Sequence, residues 1–314
     1  MTLTHRCIGI DVSKHFLDLF DEADPACERL PNTSEALAGR IAMWQGADVF
    51  VVFEATGIYD QALAAALATA GIRHARVNPA RVRDFARATG RLAKTDAIDA
   101  AVLAAFARAI APAPEAAASE ARKALSLLAK RRDQLVAMRA QEKTRRSEAP
   151  SPDLAACITR HVAFLDDEIS GLEDEIRERI NADRALSEEA RLMRSVPGVG
   201  AVATLQLIAR MPELGHTGPG QLAALAGLAP MNADSGDFRG KRTIKAGRKR
   251  VRDALYMAAL NSVRRDGPLR TFYLRLRERG KPAKLALIAV ARKLLTILNA
   301  IIRDRKPYEI RNAS

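Results

Sequence analysis

The chain lacks the usual ingredients of several kinds of functional site. Its three cysteines, Cys7, Cys27 and Cys157, are odd in number and show no metal-ligand spacing. They fit buried thiols in a reducing compartment better than a disulfide framework. The five histidines form no HxxH-type pair, which argues against a zinc site. Aromatic residues make up only 4% of the chain, so stacking on single-stranded bases is expected to be a minor term. Long apolar runs are missing too. The most apolar late stretch, residues 285–302, is broken by Arg292 and Lys293. It reads as a core helix, and no membrane partner is expected. The opening residues, Met1 to Cys7, leave no room for the apolar region of a signal peptide, which predicts a cytoplasmic location.

Acidic charge is scarce in one region. Residues 236–314 hold 22 Lys and Arg against 6 Asp and Glu, a balance of +16, whereas residues 1–235 hold 28 against 31. The whole chain carries +13, and all of the excess is C-terminal. Such an asymmetry predicts a polyanionic partner for the C-terminal part, with nucleic acid the best candidate. Binding through phosphates should weaken steeply with salt.

Four acidic residues stand out against this background. Asp11 ends the apolar run Cys7-Ile8-Gly9-Ile10, and Glu54 ends the run Val49-Phe50-Val51-Val52-Phe53. Asp96 and Asp99 stand three apart in Lys94-Thr95-Asp96-Ala97-Ile98-Asp99-Ala100, which reads as the start of a helix. Positions i and i+3 share a helix face, so both carboxylates can point at one spot. Two strand-end carboxylates and a helical pair can converge, and such a cluster repels itself unless a cation neutralises it. Hard oxygen ligands select Mg²⁺ or Mn²⁺. Such an ion beside a basic surface points to phosphodiester chemistry.

Residues 6–110 alternate strand and helix signals. The segments 6–12 and 16–20 read as a hairpin and 27–31 as a weaker third strand. Ser34 is the expected cap of a helix over 35–44. The five-residue apolar run 49–53 reads as a central strand with both faces covered. A helix over 58–70 ends at Gly71, a strand covers 73–77, and helices follow over 80–89 and 96–109. An antiparallel hairpin followed by strand–helix units is the order of a ribonuclease-H-like α/β fold, although other α/β folds fit the same pattern.

Pro112-Ala113-Pro114 marks a boundary. Two long helices are expected over 119–147 and 153–182. In the second, Ile158, Val162, Leu165, Ile169, Leu172 and Ile176 step as a heptad seam. Together they suggest a coiled-coil helical hairpin that pairs with itself or with a second copy. The expected domains are therefore 1–112, 113–187 for the arm, and 188–314 for a mostly helical, basic C-terminal domain. In that last domain Val196-Pro197-Gly198-Val199-Gly200 separates two helical patterns. Its turn at Gly198 and Gly200 resembles that of a helix-hairpin-helix, which can hold a nucleic-acid phosphate at a helix N-terminus. An ordinary helix–helix turn fits it as well.

The polar loop 231–240 contains Ser235-Gly236, which alone would mean only a turn. A basic run follows at once: Arg239, Lys241, Arg242, Lys245, Arg248, Lys249, Arg250 and Arg252. A serine there would face a phosphate lined with guanidinium groups. Lys14 and Lys94 flank the carboxylates and can contact nucleic acid or orient ligands, although a solvated surface group is the better reading of each.

Taken in order, these segments resemble the DEDD-type transposases of the IS110 insertion-sequence family, relatives of the pilin-gene invertases. The likeness rests on Ile8 to Lys14, Glu54-Ala55-Thr56-Gly57, Asn78-Pro79, Arg81 to Ala86 and Lys94 to Ala100. It continues through Pro197 to Gly200, Ala226 to Pro230, Ser235-Gly236, and Arg252, Leu255 and Tyr256. It implies a RuvC-like N-terminal domain whose Asp11, Glu54, Asp96 and Asp99 bind Mg²⁺, and a transposase domain whose nucleophile is Ser235. It further implies donor and target DNA, a noncoding bridge RNA as guide, a homodimer or homotetramer, and work at the nucleoid. Three other readings stay open: a RuvC-like nuclease or junction resolvase that uses water, an actin- or sugar-kinase-like ATP-binding protein, and a non-catalytic scaffold. The absence of a glycine in Val12-Ser13-Lys14-His15 weighs against ATP binding, since that fold wraps phosphates with a Gly-rich turn.

Overall fold

The computed structural model describes residues 5–55, 57–91, 96–114, 119–231, 243–244 and 246–309, with Asp96, Ala97 and Met231 described by their backbone alone. The chain divides into two compact units, Met1–Ala117 and Ala118–Ser314.

The first unit runs β1 (Arg6–Val12), β2 (Phe16–Asp21), β3 (Asp24–Pro31), α1 (Ser34–Trp44), β4 (Val49–Glu54), α2 (Gln61–Thr69), β5 (Arg73–Val77), α3 (Pro79–Ala88) and α4 (Asp96–Ile110). The five strands form one mixed sheet in the order β3-β2-β1-β4-β5. β1 and β2, and β2 and β3, are antiparallel, whereas β1 and β4, and β4 and β5, are parallel. β4 is an interior strand between β1 and β5, covered on both faces as its composition predicts. Its Val49, Val51 and Phe53 pack with Leu37, Ile41 and Trp44 of α1 and Leu63 and Leu67 of α2. Its Phe50 and Val52 pack on the other face with Val102, Leu103 and Phe106 of α4. Alternation of side chains along a strand produces this division, and burying each large apolar residue stabilises by roughly 1.5–3 kcal/mol.

Several helix starts differ from the sequence expectation. Thr33, not Ser34, caps α1: its backbone is extended and its side chain accepts from the Ala36 N–H. α2 starts at Gln61 instead of Ile58, because residues 57–60 form a turn in which Gly57 has φ +87°. In the second unit a helix opens at Arg184, ahead of the domain start expected at 188, where the Asp183 carboxylate accepts from the Ala185 and Leu186 N–H groups.

The second unit is mostly helical: α5 (Glu120–Ser147), α6 (Pro152–Ala182), α7 (Arg184–Arg194), α8 (Ala201–Arg210), α9 (Pro219–Leu225), a short pair β6 (Pro230–Met231) and β7 (Thr243–Ile244), then α10 (Lys249–Ser262), α11 (Pro268–Glu278) and α12 (Ala283–Asp304). The pairs Arg132–Glu173, Arg139–Asp166 and Glu142–His161 show that α5 and α6 run antiparallel, one index rising as the other falls. Leu135, Leu165 and Ile169 form the apolar contact between them. α12 is long and apolar enough to cross a membrane by length and composition. Here its Val290, Leu294, Leu298 and Ile301 fill the core of the unit.

Candidate metal centre and serine loop

Asp11 lies near the end of β1 and Glu54 at the end of β4. The register pairs Ile10 with Phe53, so Asp11 and Glu54 follow at the same level on adjacent strands. Cys7, Phe50 and Val52 face α4. Side-chain alternation therefore turns Gly9, Asp11 and Glu54 to that face as well.

Two contacts fix where α4 lies. A Cβ on Gly9 would sit 2.0 Å from the Ala100 carbonyl oxygen and 2.5 Å from the Ala104 nitrogen, so the helix rests directly on the strand backbone. Near the other end of α4, Arg108 pairs with Glu22 and donates to the His5 carbonyl at 2.8 Å, while Glu22 accepts from the Cys7 N–H at 2.8 Å. α4 therefore runs antiparallel to β1, with its first turn toward Asp11. Asp11 is about 6.6 Å beyond Gly9 along the strand. The first turn of α4 lies roughly 4–9 Å beyond its contact with Gly9. Asp99, half-buried, is thus brought to the level of Asp11 and Glu54. Asp96 opens the helix, and its side chain lies outside the described residues.

The clamp at the far end is set electrostatically. Burial alone would raise the Glu22 carboxyl, but hydrogen bonds from Arg108 and the Cys7 N–H outweigh it and hold the group below the ordinary carboxylate range. Burial pushes the Cys7 thiol up to about 11 and lowers His5, and both lie at the Arg108–Glu22 end of α4, away from Asp11 and Glu54. The candidate donors are carboxylate oxygens, a set that suits a hard divalent cation such as Mg²⁺ or Mn²⁺. Among the described side chains no three His, Cys, Asp or Glu residues close around a common ion position. Lys14 is exposed at the tip of the β1–β2 turn, which Ser13 and Phe16 close through backbone and hydroxyl bonds.

One acidic residue was passed over in the sequence. Asp18 stands in the apolar strand Phe16-Leu17-Asp18-Leu19-Phe20, pairs in register with Asp11, and is only 5% exposed. The signal was the same one that singled out Asp11: a charge inside an apolar run.

In the second unit, β6 and β7 pair antiparallel, with Pro230 opposite Ile244 and Met231 opposite Thr243. Behind that pair two glycine turns interlock. A Cβ on Gly247 would lie 2.2 Å from the Gly227 nitrogen, and one on Gly227 would lie 2.4 Å from the Ala246 carbonyl oxygen. The Arg248 N–H donates to the Leu225 carbonyl, and Arg252 to the Ala246 carbonyl. Met231 and Thr243, the described residues on either side of 232–242, are thereby held together. Ser235 itself, with Arg239, Lys241, Arg242, Lys245 and, in the first unit, Lys94, lies outside the described residues.

The rest of the predicted basic run has partners within the chain. Arg248 grips Glu213 with both arms of its guanidinium at 2.6 Å and donates to the Arg210 carbonyl. Arg250 pairs with Asp133 of α5, which also accepts from Gln206 and Arg210 of α8, and Lys249 pairs with Asp253. The Gly198 turn has a packing reason of its own. At φ +95° a Cβ there would lie 2.3 Å from the Ser262 hydroxyl, which donates to the Pro197 carbonyl. Gly200 is exposed and opens α8 without a side-chain cap.

Residues 8–149 match the profile of the DEDD transposases of IS110, and residues 190–274 match the profile described as "Transposase IS116/IS110/IS902 family". The pilin gene-inverting proteins of Moraxella bovis and Moraxella lacunata are each 29% identical to this chain over 315 residues, covering 97% of it and 98% of their own length. The insertion element IS900 uncharacterized 42 kDa protein of Mycobacterium paratuberculosis is 35% identical over 170 residues, covering 52% of this chain and 41% of its own.

Proposed function

Because the chain belongs to the IS116/IS110/IS902 transposase family, whose members carry out DNA strand transfer, we propose that it recombines DNA through a serine-linked intermediate formed at a carboxylate-held Mg²⁺ or Mn²⁺ site. The observation that carries this reading is the placement of Asp11 and Glu54 side by side on the sheet face where α4 brings Asp99. Asp11, Glu54, Asp96 and Asp99 hold the cation, which supplies charge stabilisation for a phosphoryl group in transfer.

The Ser235 hydroxyl attacks a DNA phosphodiester. The bond between phosphorus and the serine oxygen forms, the bond to the 3′ oxygen breaks, and the serine proton leaves so that a free 3′-hydroxyl results. A 3′-hydroxyl of the partner strand then attacks the phosphoserine, restoring the serine and joining the exchanged strands. One phosphodiester is exchanged for another, so no ATP is required. A serine hydroxyl is a weak nucleophile at neutral pH and needs this setting. The pairing of Met231 with Thr243, on either side of residues 232–242, supports this reading.

The nucleic-acid partners are donor and target DNA, with a noncoding bridge RNA as guide. The support is the C-terminal charge together with Arg264, Arg265, Arg275, Arg279, Lys281 and Lys284, which are exposed and make no ion pair among the described residues. Gly200 and the first N–H groups of α8 add a phosphate contact. The protein works as a homodimer or homotetramer at the nucleoid. The exposed Leu127, Met138, Leu154 and Phe164 give the paired helices α5 and α6 an apolar outer surface for a second copy, consistent with a coiled-coil arm. The test is a plasmid recombination assay in cells that supply the element ends and the RNA. Ser235→Ala and Asp99→Asn are each expected to abolish strand exchange. DNA cleavage that persists in Ser235→Ala would replace this reading with a nuclease that uses water.

A further inference from the structure

The register places four charged residues in one row across the sheet. Arg29 of β3 is opposite Asp18 of β2, Asp18 is opposite Asp11 of β1, and Glu54 of β4 lies at the level of Asp11. Leu17 and Leu19 face α1 and α2, so Asp18 points to the α4 side with Asp11 and Glu54. Adjacent strands are about 4.8 Å apart, and three carboxylates in one row at that spacing repel one another. Asp18 is almost fully buried, which is costly for a charge without a partner. Arg29 supplies the partner, donating from Nε and Nη2 to the two Asp18 oxygens at 2.8 and 3.0 Å. Its guanidinium also lies 5.4 Å from the centre of the Phe16 ring, on the same face of β2 as Asp18.

We propose that Asp18 and Arg29 are positioning residues for the divalent cation, with opposite effects. Asp18 adds a third negative charge to the row and strengthens attraction for a cation at Asp11 and Glu54. Arg29 keeps the row from repelling itself while the cation is away and weakens the attraction once it arrives. The inference rests on the metal-binding reading above. A purely structural role, in which the pair only ties β2 to β3, makes a different prediction. Both substitutions break the same ion pair, so both would then shift metal binding in the same direction or leave it unchanged.

The test is a calorimetric titration of Mn²⁺ into the full chain without nucleic acid, comparing wild type with Asp18→Asn, Arg29→Met and Asp11→Asn. Asp18→Asn is expected to weaken binding about tenfold, and Arg29→Met to tighten it severalfold, although both lower the melting temperature of the metal-free protein. Shifts in the same direction, or none, with Asp11→Asn still abolishing binding, would overturn the proposal and leave the metal reading intact. A wild type that takes up no Mn²⁺ would remove the metal reading and the proposal together. If Asp18→Asn does not fold, Arg29→Met decides: tighter binding supports the proposal and weaker or equal binding overturns it.

Discussion

Gly9 has no side chain, and that is what lets α4 lie with its backbone against β1. The atoms that an added methyl group would meet are the Ala100 carbonyl oxygen and the Ala104 nitrogen, and neither can swing away as a long side chain could. Gly9→Ala should therefore lift α4, cost about 1–3 kcal/mol of stability, and move Asp99 away from Asp11 and Glu54. Urea unfolding should show the lower midpoint, and strand exchange should fall more than tenfold. Unchanged stability and activity would mean that α4 is not held at that height. At this scale the sequence displayed the acidic residues that end apolar runs, because a charge among apolar neighbours is visible without a structure. It did not display the role of Gly9, which depends on a helix about ninety residues later, nor the clamp from Arg108 to Glu22. Asp18 carried a readable signal and was missed.

Single elements were more legible than the links between them. The apolar run of β4 predicted a central strand, and the heptad steps from Ile158 to Ile176 predicted a long helix whose seam is buried or half-buried. Helix starts moved where a particular side chain captured a backbone N–H, as Thr33 and Asp183 do. The basic run after Ser235 looked uniform in sequence, yet Arg248 serves the fold by bonding Glu213 across from α10. Burial works to raise Glu213, but the Arg248 hydrogen bonds outweigh it and leave the carboxyl below its ordinary range. A carboxylate lowered by folding contributes stability that is full above the unfolded value and is lost as the pH falls through the folded one. Arg248→Met should lower stability by about 2 kcal/mol at neutral pH and flatten the part of the acid-side decline that this pair produces. Urea unfolding of wild type and variant over a pH series measures both. Equal stability at neutral pH would mean that Arg248 is not tied to Glu213 in solution.

Over the whole chain, the acidic cluster and the basic excess fall in different units. The carboxylates belong to Met1–Ala117, whereas the positive excess and the serine loop belong to Ala118–Ser314. The first matched profile, residues 8–149, covers most of the first unit and continues through α5 of the second, the other, 190–274, lies within the second unit, and the pilin gene-inverting proteins span both. The proposed strand transfer through Ser235 would draw on residues from both units, whereas composition alone points only to a polyanion partner. The most direct measurement incubates the protein with element-end DNA, the flanking noncoding RNA and Mg²⁺, then resolves the products on a denaturing gel beside Ser235→Ala and Asp11→Ala. We predict a covalent protein–DNA adduct in wild type that is lost in both variants. Cleaved DNA without an adduct, with Ser235→Ala still active, would contradict the account.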